Sequence, residues 1–439
     1  MSGIAEFLSR KGYKVTGSEL YPSQITERLE KLGIKIFKGH NADNINKDTD
    51  LVVYSSAIKE DNAEYAKAKE SGIKIIKRAV MLGELVNDLF LISVSGTHGK
   101  TSTTALIAKL LIDNGFDPVV FVGGTVDFLD GGSSRIGNGK YAVVEADEYD
   151  RSFLTLKSDI AVITNIELDH TDIYSDLAEL KESFQQFLYN AKKECKIVAC
   201  GDSDNVMDIL QKVDRNEKLL YGLNNTNDYT LEDIESINGN ISYNFDNQKI
   251  VLNIPGVHNA LNASAAYLAG KLTGMKAENI KDSLFRFNGV KRRLELKYNS
   301  DISIYDDYAH HPTEIIASYK AIRNIAKGRI ITVFQPHTYT RTRDLYNEFA
   351  YALKENDVLI LTEIYAAREK AIDNVSSELI LNRLMDFNKG NIYYLKTFEE
   401  IEKILKGIIK KDDTIIFQGA GSITELCDMF VKNYPEGKK

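Results

Sequence analysis

Short apolar runs alternate with amphipathic stretches along most of the chain. The run Leu89–Val94 (LFLISV) has the length of a buried strand, and a stretch with apolar residues at helical spacing follows it at 106–111. Further short apolar runs recur on both sides of this pair. Strands that alternate with helices in this way predict an α/β protein built on mostly parallel sheets.

The N-terminal region starts with a helical pattern rather than a strand. Ile4, Phe7 and Leu8 share one helix face, and residues 13–17 then resemble a strand that leads to Glu19. A nucleotide-binding βαβ unit places a strand and a glycine loop before such a helix. We therefore expect a Rossmann-like domain over residues 1–88 whose first strand is missing. Further strands are predicted at 34–37, 51–54 and 73–76, and helices at 26–32, 62–69 and 77–86.

A glycine-containing turn separates the strand at 89–94 from the helix after it. The turn, Ser95–Ser102 (SGTHGKTS), would bring backbone N–H groups close to an anion at the start of that helix. Lys100 can reach outer phosphates, and Thr101 can ligate Mg²⁺. The first glycine of the usual P-loop is replaced here by Val94, so the loop is a shorter form. The alternative is a turn that precedes a helix by chance.

Acidic residues follow two apolar strands of the central region. Residues 142–146 lead to Glu145, Asp147, Glu148 and Asp150, and residues 160–165 lead to Glu167, Asp169, His170 and Asp172. Parallel strands deliver their carboxyl ends to one edge of the sheet, and Mg²⁺ prefers oxygen ligands. This placement favours a magnesium site beside the phosphate loop over a solvated acidic loop.

Two polar motifs close the central region, which we assign to residues 89–292. Asn259 and Asn262 lie three apart on a predicted helix and suit an adenine edge, although capping residues at a helix start would look the same. Arg292 and Arg293 could clamp phosphates, or could form surface salt bridges. Between these motifs and the acidic strands, residues 226–252 predict a small antiparallel insertion.

In the C-terminal region, residues 293–439, every predicted strand is followed by polar residues that could bind a substrate or take part in catalysis. The strands at 302–305, 330–334, 358–361 and 414–417 are followed by DDYAHHP, QPHTYTRTR, TEIY and QGAGSI. Histidine, aspartate and arginine at one sheet edge suit a substrate that carries a carboxylate and an amine.

Composition narrows the class of protein. The 439 residues suggest two to four domains, and the net charge of −8 argues against broad nucleic-acid or membrane-surface binding. The three cysteines have no zinc spacing, which favours reduced thiols in a cytoplasmic protein. No run has the length of a membrane span, and no signal-peptide pattern begins the chain.

The ordered motifs resemble the Mur ligases of bacterial cell-wall synthesis. The residues that carry the resemblance are SGTHGKTS at 95–102, EADEYD at 145–150, TNIELDHTD at 164–172, HNALN at 258–262, Arg292-Arg293, DDYAHHP at 306–312 and FQPHTYTRT at 334–342. The resemblance implies three domains: a Rossmann-like one for a UDP-sugar, a central P-loop-type ATPase domain, and a Rossmann-like one for an amino acid. It also implies an ATP-dependent, amide-forming ligase that acts through an acyl phosphate and releases ADP and phosphate.

The same resemblance implies ligands and roles. The substrates would be UDP-N-acetylmuramate and L-alanine, with ATP and Mg²⁺, and the protein would be a monomer or weak homodimer. Lys100, His310 and Arg341 would be catalytic. The nucleotide would contact Gly96, Thr97, His98, Gly99, Lys100, Thr101, Ser102, Asn259, Asn262, Arg293 and Asp307. The metal would contact Thr101, Glu145 and His170, and the UDP-sugar would contact Tyr54, Ser55, Ser56 and Arg78.

Departures from the family pattern leave alternatives open. Several members use a carbamylated lysine after the DHTD stretch, and Lys181 is near but does not stand out. A non-catalytic nucleotide-binding protein would explain the missing first strand. A ligase of the same fold that adds another amino acid or a peptide would share most of the motifs. No residue is singled out as the general base for the amine.

Overall fold

A computed structural model describes residues 1–21, 23–214, 217–237, 239–387 and 390–434. These residues form two compact units. The first contains Met1–Glu232, Phe245–Gln248 and Leu261–Leu284, and the second contains Asp233–Asn244, Lys249–Ala260 and Phe285–Lys439. Among the helices described, none is long and apolar enough to cross a membrane.

The first unit opens with short, alternating helices and strands. They are α1 (Ser2–Arg10), β1 (Thr16–Glu19), α2 (Gln24–Lys31), β2 (Lys35–Lys38), β3 (Leu51–Tyr54), α3 (Ala63–Glu70), β4 (Lys74–Lys77) and α4 (Arg78–Val86). Strand β1 pairs in parallel with β2, and β3 pairs in parallel with β4. Asn62 caps α3 by accepting hydrogen bonds from two backbone N–H groups of the first turn, as capping residues do.

An eight-stranded sheet forms the centre of the first unit. Its strands are β5 (Phe90–Ser95), β6 (Val119–Val126), β7 (Gly132–Arg135), β8 (Tyr141–Glu145), β9 (Ile160–Ile163), β10 (Lys196–Cys200), β11 (Lys218–Gly222) and β12 (Tyr229–Thr230). Their order is β12-β11-β10-β9-β5-β8-β6-β7, and every pairing is parallel except β6 with β7. Strand β5 lies between β9 and β8, where the chain changes direction across the sheet. Open α/β sheets bind ligands at such a point.

Helices cover this sheet because its strands are apolar on both faces. They are α5 (Lys100–Asp113), α6 (Leu177–Asn190) and α7 (Asp204–Lys212). All four residues of β9, IAVI, are buried. Phe187 of α6 stacks in parallel on Phe153, with ring centroids 5.0 Å apart.

A smaller three-stranded sheet follows in sequence. It contains β13 (Glu232–Ile237), β14 (Asn240–Phe245) and β15 (Gln248–Leu252), in that order. The burial of β14 alternates along the strand, as expected for a sheet with one covered face. Helix α8 (Val257–Leu272) and helix α9 (Ala277–Phe285) come next. The residues of this small sheet and of α8 belong partly to each unit.

The second unit is built on a six-stranded sheet. Its strands are β16 (Glu295–Asn299), β17 (Ser303–Asp307), β18 (Ile330–Phe334), β19 (Val358–Leu361), β20 (Ile392–Tyr394) and β21 (Thr414–Gln418). Their order is β16-β17-β21-β18-β19-β20, with only β16 antiparallel to its neighbour. The helices are α10 (Pro312–Arg323), α11 (Tyr339–Leu353), α12 (Glu378–Met385), α13 (Phe398–Ile408) and α14 (Ile423–Asn433).

The α/β class and the mostly parallel central sheet are confirmed. Sequence periodicity missed β6, β7, β16 and β20. It also assigned residues 226–252 to an antiparallel insertion, which is wrong for β12, because β12 pairs in parallel with β11 at the edge of the large sheet. Strand β6 contains the pair Gly123-Gly124, and glycine weakens a strand pattern. Strand β16 is an edge strand with mixed burial, so its alternation is not apolar enough to be recognised.

Candidate active site

The predicted phosphate loop joins β5 to α5. Gly96 has φ +138° and Gly99 has φ +82°, values in the left-handed region that favours glycine. Helix α5 begins at Lys100, directly after Gly99. The loop therefore has the strand, glycine turn and helix N-terminus that bind an anion.

The carboxyl end of β9 holds this loop in shape. The side-chain oxygen of Asn165 accepts from the His98 backbone N–H at 2.9 Å, and its Nδ2 donates to the His98 carbonyl at 3.0 Å. Thr97 Oγ1 donates to the Glu167 carbonyl at 2.9 Å and accepts from the Glu167 N–H at 2.8 Å. Thr97 and His98, which are predicted to contact the nucleotide, therefore also stabilise the conformation of the loop.

Lys100 lies at the centre of a carboxylate cluster. Its Nζ donates to Glu148 Oε1 at 2.8 Å and to the Gly96 carbonyl at 2.6 Å. Burial alone would lower the pKa of Lys100, but the surrounding carboxylates, Glu148 foremost, outweigh it and raise the pKa above its usual value. Burial also raises the pKa of Glu148, against the opposing charge of Lys100. Lys100 is therefore a buried, permanently charged ammonium.

Thr101 and Glu145 meet on the other side of the loop. Thr101 Oγ1 donates to Glu145 Oε1 at 3.1 Å, and the Gly123 N–H donates to Glu145 Oε2 at 2.6 Å. A Cβ at Gly123 would lie 2.5 Å from Glu145 Oε1, so only glycine permits this approach. Burial raises the pKa of Glu145, and Lys100 partly offsets that effect. The negative charge of the Glu145 carboxylate is thus only partly balanced by groups of the protein.

His170 completes the cluster from the loop after β9. Its Nε2 lies 3.8 Å from Glu148 Oε1, and one ligand atom each from Asp147, Glu148 and His170 can be chosen so that all lie within 4.8 Å of one another. The second oxygen of Glu148 is buried and has no hydrogen-bond partner among the residues that the structure describes. His170 has φ +55°, an unusual backbone conformation that is often retained for function. Lys100, Thr101, Glu145 and His170 are therefore gathered at one place.

The acidic turn after β8 also reaches the N-terminal strands. Asp150 and Arg151 have consecutive positive φ values of +51° and +54°. Asp150 accepts from Ser56 Oγ at 2.7 Å and pairs with Lys77 at 2.9 Å. Burial opposes ionisation of Asp150, but the hydrogen bonds from Ser56 and Lys77 lower its pKa overall. Ser56, predicted to bind substrate, thus ties the acidic turn to the end of β3.

A cavity of about 110 Å³ lies beside this cluster in the first unit. Among the residues predicted to bind the UDP-sugar, Arg78, the first residue of α4, lines this cavity. Ser2 and Gly3, at the start of α1, line it as well. Glu145 and Gly123 form another part of its wall. Tyr54 instead packs edge-on against Tyr65, with centroids 5.2 Å apart, and Ser55 lies in the turn after β3.

The two predicted adenine-binding asparagines have different surroundings. Asn262 is buried against the phosphate loop, and a Cβ at Gly99 would lie 2.5 Å from its Oδ1. Asn259 is also buried, and its Nδ2 donates to the Pro255 carbonyl at 2.7 Å. That bond ties the side chain to the segment before α8; it is not an N-cap bond, in which the side chain would accept from a backbone N–H. Their role towards adenine stays a prediction.

In the second unit, two arginines enclose an aromatic ring. The guanidinium groups of Arg292 and Arg293 each lie 4.9 Å from the ring centroid of Tyr308. Arg292 also donates to the Gly419 carbonyl at 2.9 Å, and Arg293 lies 3.6 Å from a carboxylate oxygen of Glu314. The contacts of both arginines therefore go beyond those of a surface salt bridge.

Asp307 is the last residue of β17, and His310 follows in the loop after it. Asp307 is buried and accepts hydrogen bonds from the Leu294 N–H at 3.3 Å and from Gln418 Nε2 at 2.9 Å. His310 Nδ1 lies 3.0 Å from the Tyr308 carbonyl oxygen. The predicted role of Asp307 towards ATP is therefore combined with a structural one.

The motif after β18 forms the other side of this edge. Arg341 Nη1 lies 3.2 Å from His337 Nδ1, and His337 lies edge-on to His310, with ring centroids 5.6 Å apart. His337 also stacks on Tyr365 at 5.9 Å. Thr338, the residue after His337, has φ +66° and ψ +147°, a strained conformation for a residue with a side chain. His310, His337 and Arg341 thus share one site.

His258 lies partly buried in the same unit. Burial lowers its pKa below the usual value near 6.5, and the carboxylates of Asp307 and Glu314 do not offset this effect. Arg293 lowers the pKa further. The folded protein thus holds His258 neutral where an unfolded chain would protonate it.

We expect acidification to destabilise the protein through His258. Below a pH of about 6.5 the unfolded chain takes up a proton that the folded chain does not, so the free energy of unfolding falls. In a His258→Gln variant this contribution is absent. The stability difference between wild type and variant, measured by urea unfolding at about pH 7.5 and pH 5.5, should therefore move in favour of the variant at the lower pH. Other titrating groups are common to both proteins and cancel, so a pH-independent difference would contradict the expectation.

Sequence reasoning missed several contributors to the site. Gly123 is the clearest, and the glycine pair within an apolar strand was its signal, because such glycines often mark close backbone approach. Glu148 was recognised among the acidic residues, but not as the partner of Lys100. Asn165 carries no local signal for its role in the loop. Lys181, the nearest lysine to the DHTD stretch, pairs with Asp208 at 3.0 Å.

Comparison with known proteins covers nearly the whole chain. The family model "Mur ligase family, catalytic domain" matches residues 1–89, "Mur ligase middle domain" matches 94–270, and "Mur ligase, glutamate ligase domain" matches 292–421. The UDP-N-acetylmuramate–L-alanine ligase of Acetivibrio thermocellus is 44% identical, over 99% of this chain and 93% of the relative. That of Sulfurihydrogenibium sp. is 42% identical, over 99% of this chain and 96% of the relative.

The fold agrees with this sequence similarity. The crystal structure of UDP-N-acetylmuramate–alanine ligase from Thermotoga maritima superposes with a TM-score of 0.84 at 29% identity, over 99% of this chain and 96% of that one. The three matched models follow one another along the chain in the order of the motifs described above. The chain belongs to the Mur ligase family.

Proposed function

We propose that this protein is the ATP-dependent ligase that joins L-alanine to the carboxylate of UDP-N-acetylmuramate in peptidoglycan synthesis. The observation that carries the proposal is the meeting of Lys100, Thr101, Glu145 and His170 at the switch point of the central sheet. The full-length similarity to UDP-N-acetylmuramate–L-alanine ligases supports the choice of substrates. We also propose that it acts in the cytoplasm, where ATP is available.

ATP would bind with its phosphates on the loop Ser95–Ser102. Backbone N–H groups at the start of α5 would face the anion, and the ammonium of Lys100 would neutralise charge on the outer phosphates. Lys100 must then exchange its ion pair with Glu148 for the phosphate oxygens. Asn262, next to Gly99, would border the nucleotide.

The residues present fit a divalent cation. Thr101 and Glu145 offer hard oxygen ligands at 3.1 Å from each other, and Asp147, Glu148 and His170 form a second group. The unpartnered, buried oxygen of Glu148 is the kind of atom that a bound cation would satisfy. When bound, Mg²⁺ would neutralise charge on the phosphates as they are transferred.

The sugar nucleotide would use the cavity beside Glu145. Arg78 contributes a cation to its wall and the start of α1 contributes backbone N–H groups, so an anionic group would suit that side, while Glu145 and Asp147 line the other. Ser56 and Lys77, held by Asp150, lie at the ends of β3 and β4. These residues extend the proposed site along the N-terminal strands.

The reaction has two steps. The carboxylate oxygen of UDP-N-acetylmuramate attacks the γ-phosphorus, the bond to ADP breaks, and an acyl phosphate forms. The amine of L-alanine then attacks the acyl carbon and phosphate leaves. Phosphorylation turns a poor leaving group into a good one, and the protein positions the reactants and neutralises charge. Arg341, with its fork of donors, would hold the alanine carboxylate, and His310 would lie at the amine.

The ligase proposal predicts that phosphate release depends on every substrate. We expect release from ATP with UDP-N-acetylmuramate and L-alanine together, and a rate near background when either is omitted. A coupled phosphate assay measures this directly. Equal release without the amino acid would contradict the proposal, as would binding of ATP without any affinity for the sugar nucleotide in calorimetry. Competition among alanine, serine, glycine and a peptide separates this ligase from others of the same fold.

A further inference from the structure

Tyr174 connects the two turns that carry the candidate metal ligands. It follows His170 in the loop after β9, and its backbone N–H donates to the His170 carbonyl at 3.0 Å. Its hydroxyl donates at 2.6 Å to the backbone carbonyl of Glu148, which lies 26 residues earlier in the turn after β8. A single residue therefore links both segments through hydrogen bonds.

Both turns have backbone conformations that require support from their surroundings. His170 has φ +55°, and Asp150 and Arg151, in the turn that follows Glu148, have φ +51° and φ +54°. Residues with side chains adopt such values at an energetic cost and keep them only where neighbouring groups hold them in place. The position of the Glu148 carboxylate therefore depends on contacts made from outside its own turn.

The side chain of Tyr174 is itself firmly held. It is 0% exposed, and the Arg151 guanidinium lies 5.5 Å from the centroid of its ring. Arg151 in turn forms an ion pair with Glu179 of α6. Because a close-packed interior restricts a buried ring to one orientation, the hydroxyl of Tyr174 has a fixed direction. The hydrogen bond to Glu148 therefore joins two well-ordered groups.

We propose that Tyr174 is a positioning residue that keeps Glu148 and His170 close enough to bind one divalent cation. The inference rests on the ligase function and the cation site proposed above. One ligand atom each from Asp147, Glu148 and His170 can be chosen so that all lie within 4.8 Å of one another, and Tyr174 bonds to the backbone of two of these residues. Hydrogen-bonded neighbours orient metal ligands, and their loss typically lowers metal affinity by about 10- to 100-fold.

The alternative is that Tyr174 only fills space in the hydrophobic core, to which its ring belongs. A residue with that role needs its ring but not its hydroxyl. Tyr174→Phe separates the two roles, because it keeps the ring and removes only the hydrogen bond to Glu148. The Glu148 carbonyl still accepts from the Arg151 N–H at 2.9 Å, so the variant leaves no buried carbonyl without a partner and should fold.

Calorimetry on the full chain measures the effect without turnover. The probe is a non-hydrolysable β,γ-imido analogue of ATP, titrated once with Mg²⁺ and once with EDTA. In Tyr174→Phe we expect the affinity in EDTA to stay within about twofold of wild type, and the factor by which Mg²⁺ strengthens binding to fall about tenfold. Tyr319→Phe is the matched control, because it also removes a hydroxyl that donates to a backbone carbonyl, that of Glu355 at 2.9 Å in the second unit. It should retain both values.

The outcomes separate this inference from the proposed function. If the wild-type protein does not bind the analogue, or binds it equally well with and without Mg²⁺, the proposed cation site itself fails. If wild type responds to Mg²⁺ and Tyr174→Phe keeps the full response, Tyr174 does not position the ligands. Equal loss of affinity in Mg²⁺ and in EDTA, with a much larger fall in Tm than in Tyr319→Phe, would show that Tyr174 contributes only to the core and would also overturn the inference.

Discussion

Replacing Lys100 by methionine is expected to lower ATP-dependent phosphate release by about 10³-fold. The ammonium is the buried cation of the phosphate loop, and loss of one preorganised donor to a developing anion already costs about 10²- to 10³-fold. Steady-state phosphate release with saturating substrates measures the effect. Lys109→Met on the same helix, which removes a pair with Asp113 and a contact with the Phe128 ring, should change the rate less than about twofold. A similar loss in both variants would contradict a specific role for Lys100.

The same variant should also lose stability, because it leaves Glu148 buried without its cation. Breaking such a pair by removing one partner costs about 3–5 kcal/mol, whereas replacing both partners by apolar residues is often neutral. The Glu148 side chain is only 2% exposed, so water cannot compensate. We therefore expect Lys100→Met/Glu148→Leu to recover most of the free energy of unfolding but none of the activity. Recovery of activity would show that Lys100 contributes only to folding.

Replacing Glu145 by glutamine should lower activity by about 10²-fold or more and weaken the dependence on Mg²⁺. Glutamine keeps the size of the side chain and an acceptor for the Gly123 N–H, but it removes the charge that would bind the cation. Titration of activity against Mg²⁺ should show a higher half-saturating concentration. Glu278→Gln, which removes an exposed carboxylate on α9, should leave the titration unchanged.

In the Glu145→Gln variant, we expect activity to fall without a loss of thermal stability. Burial raises the pKa of Glu145, which means that the fold tolerates its charge poorly without a cation. The neutral side chain should therefore give a Tm no lower than that of wild type. A large fall in Tm together with the loss of activity would instead indicate a structural role for this carboxylate.

The phosphate loop shows which features of the site can be predicted from the local sequence. Its glycines, its lysine and the helix after it are consecutive in sequence, so spacing alone predicted the turn that Gly96 and Gly99 adopt. Glu145 and His170 could be placed at the same edge because parallel strands end together. Asn165, which fastens the loop, was not found, since its partners lie far away in sequence and asparagine there has no periodic signature.

The sequence by itself determined the α/β class, the position of the phosphate loop and the polar residues at the strand ends, because these depend on local periodicity and on the geometry of parallel sheets. Only the tertiary structure decided that Glu148 pairs with Lys100, that Gly123 makes room for Glu145, and that His310 lies beside His337. Those choices depend on atoms brought together through space from distant segments. Hydrogen bonds act over about 3 Å, a distance that residue spacing along a chain does not resolve.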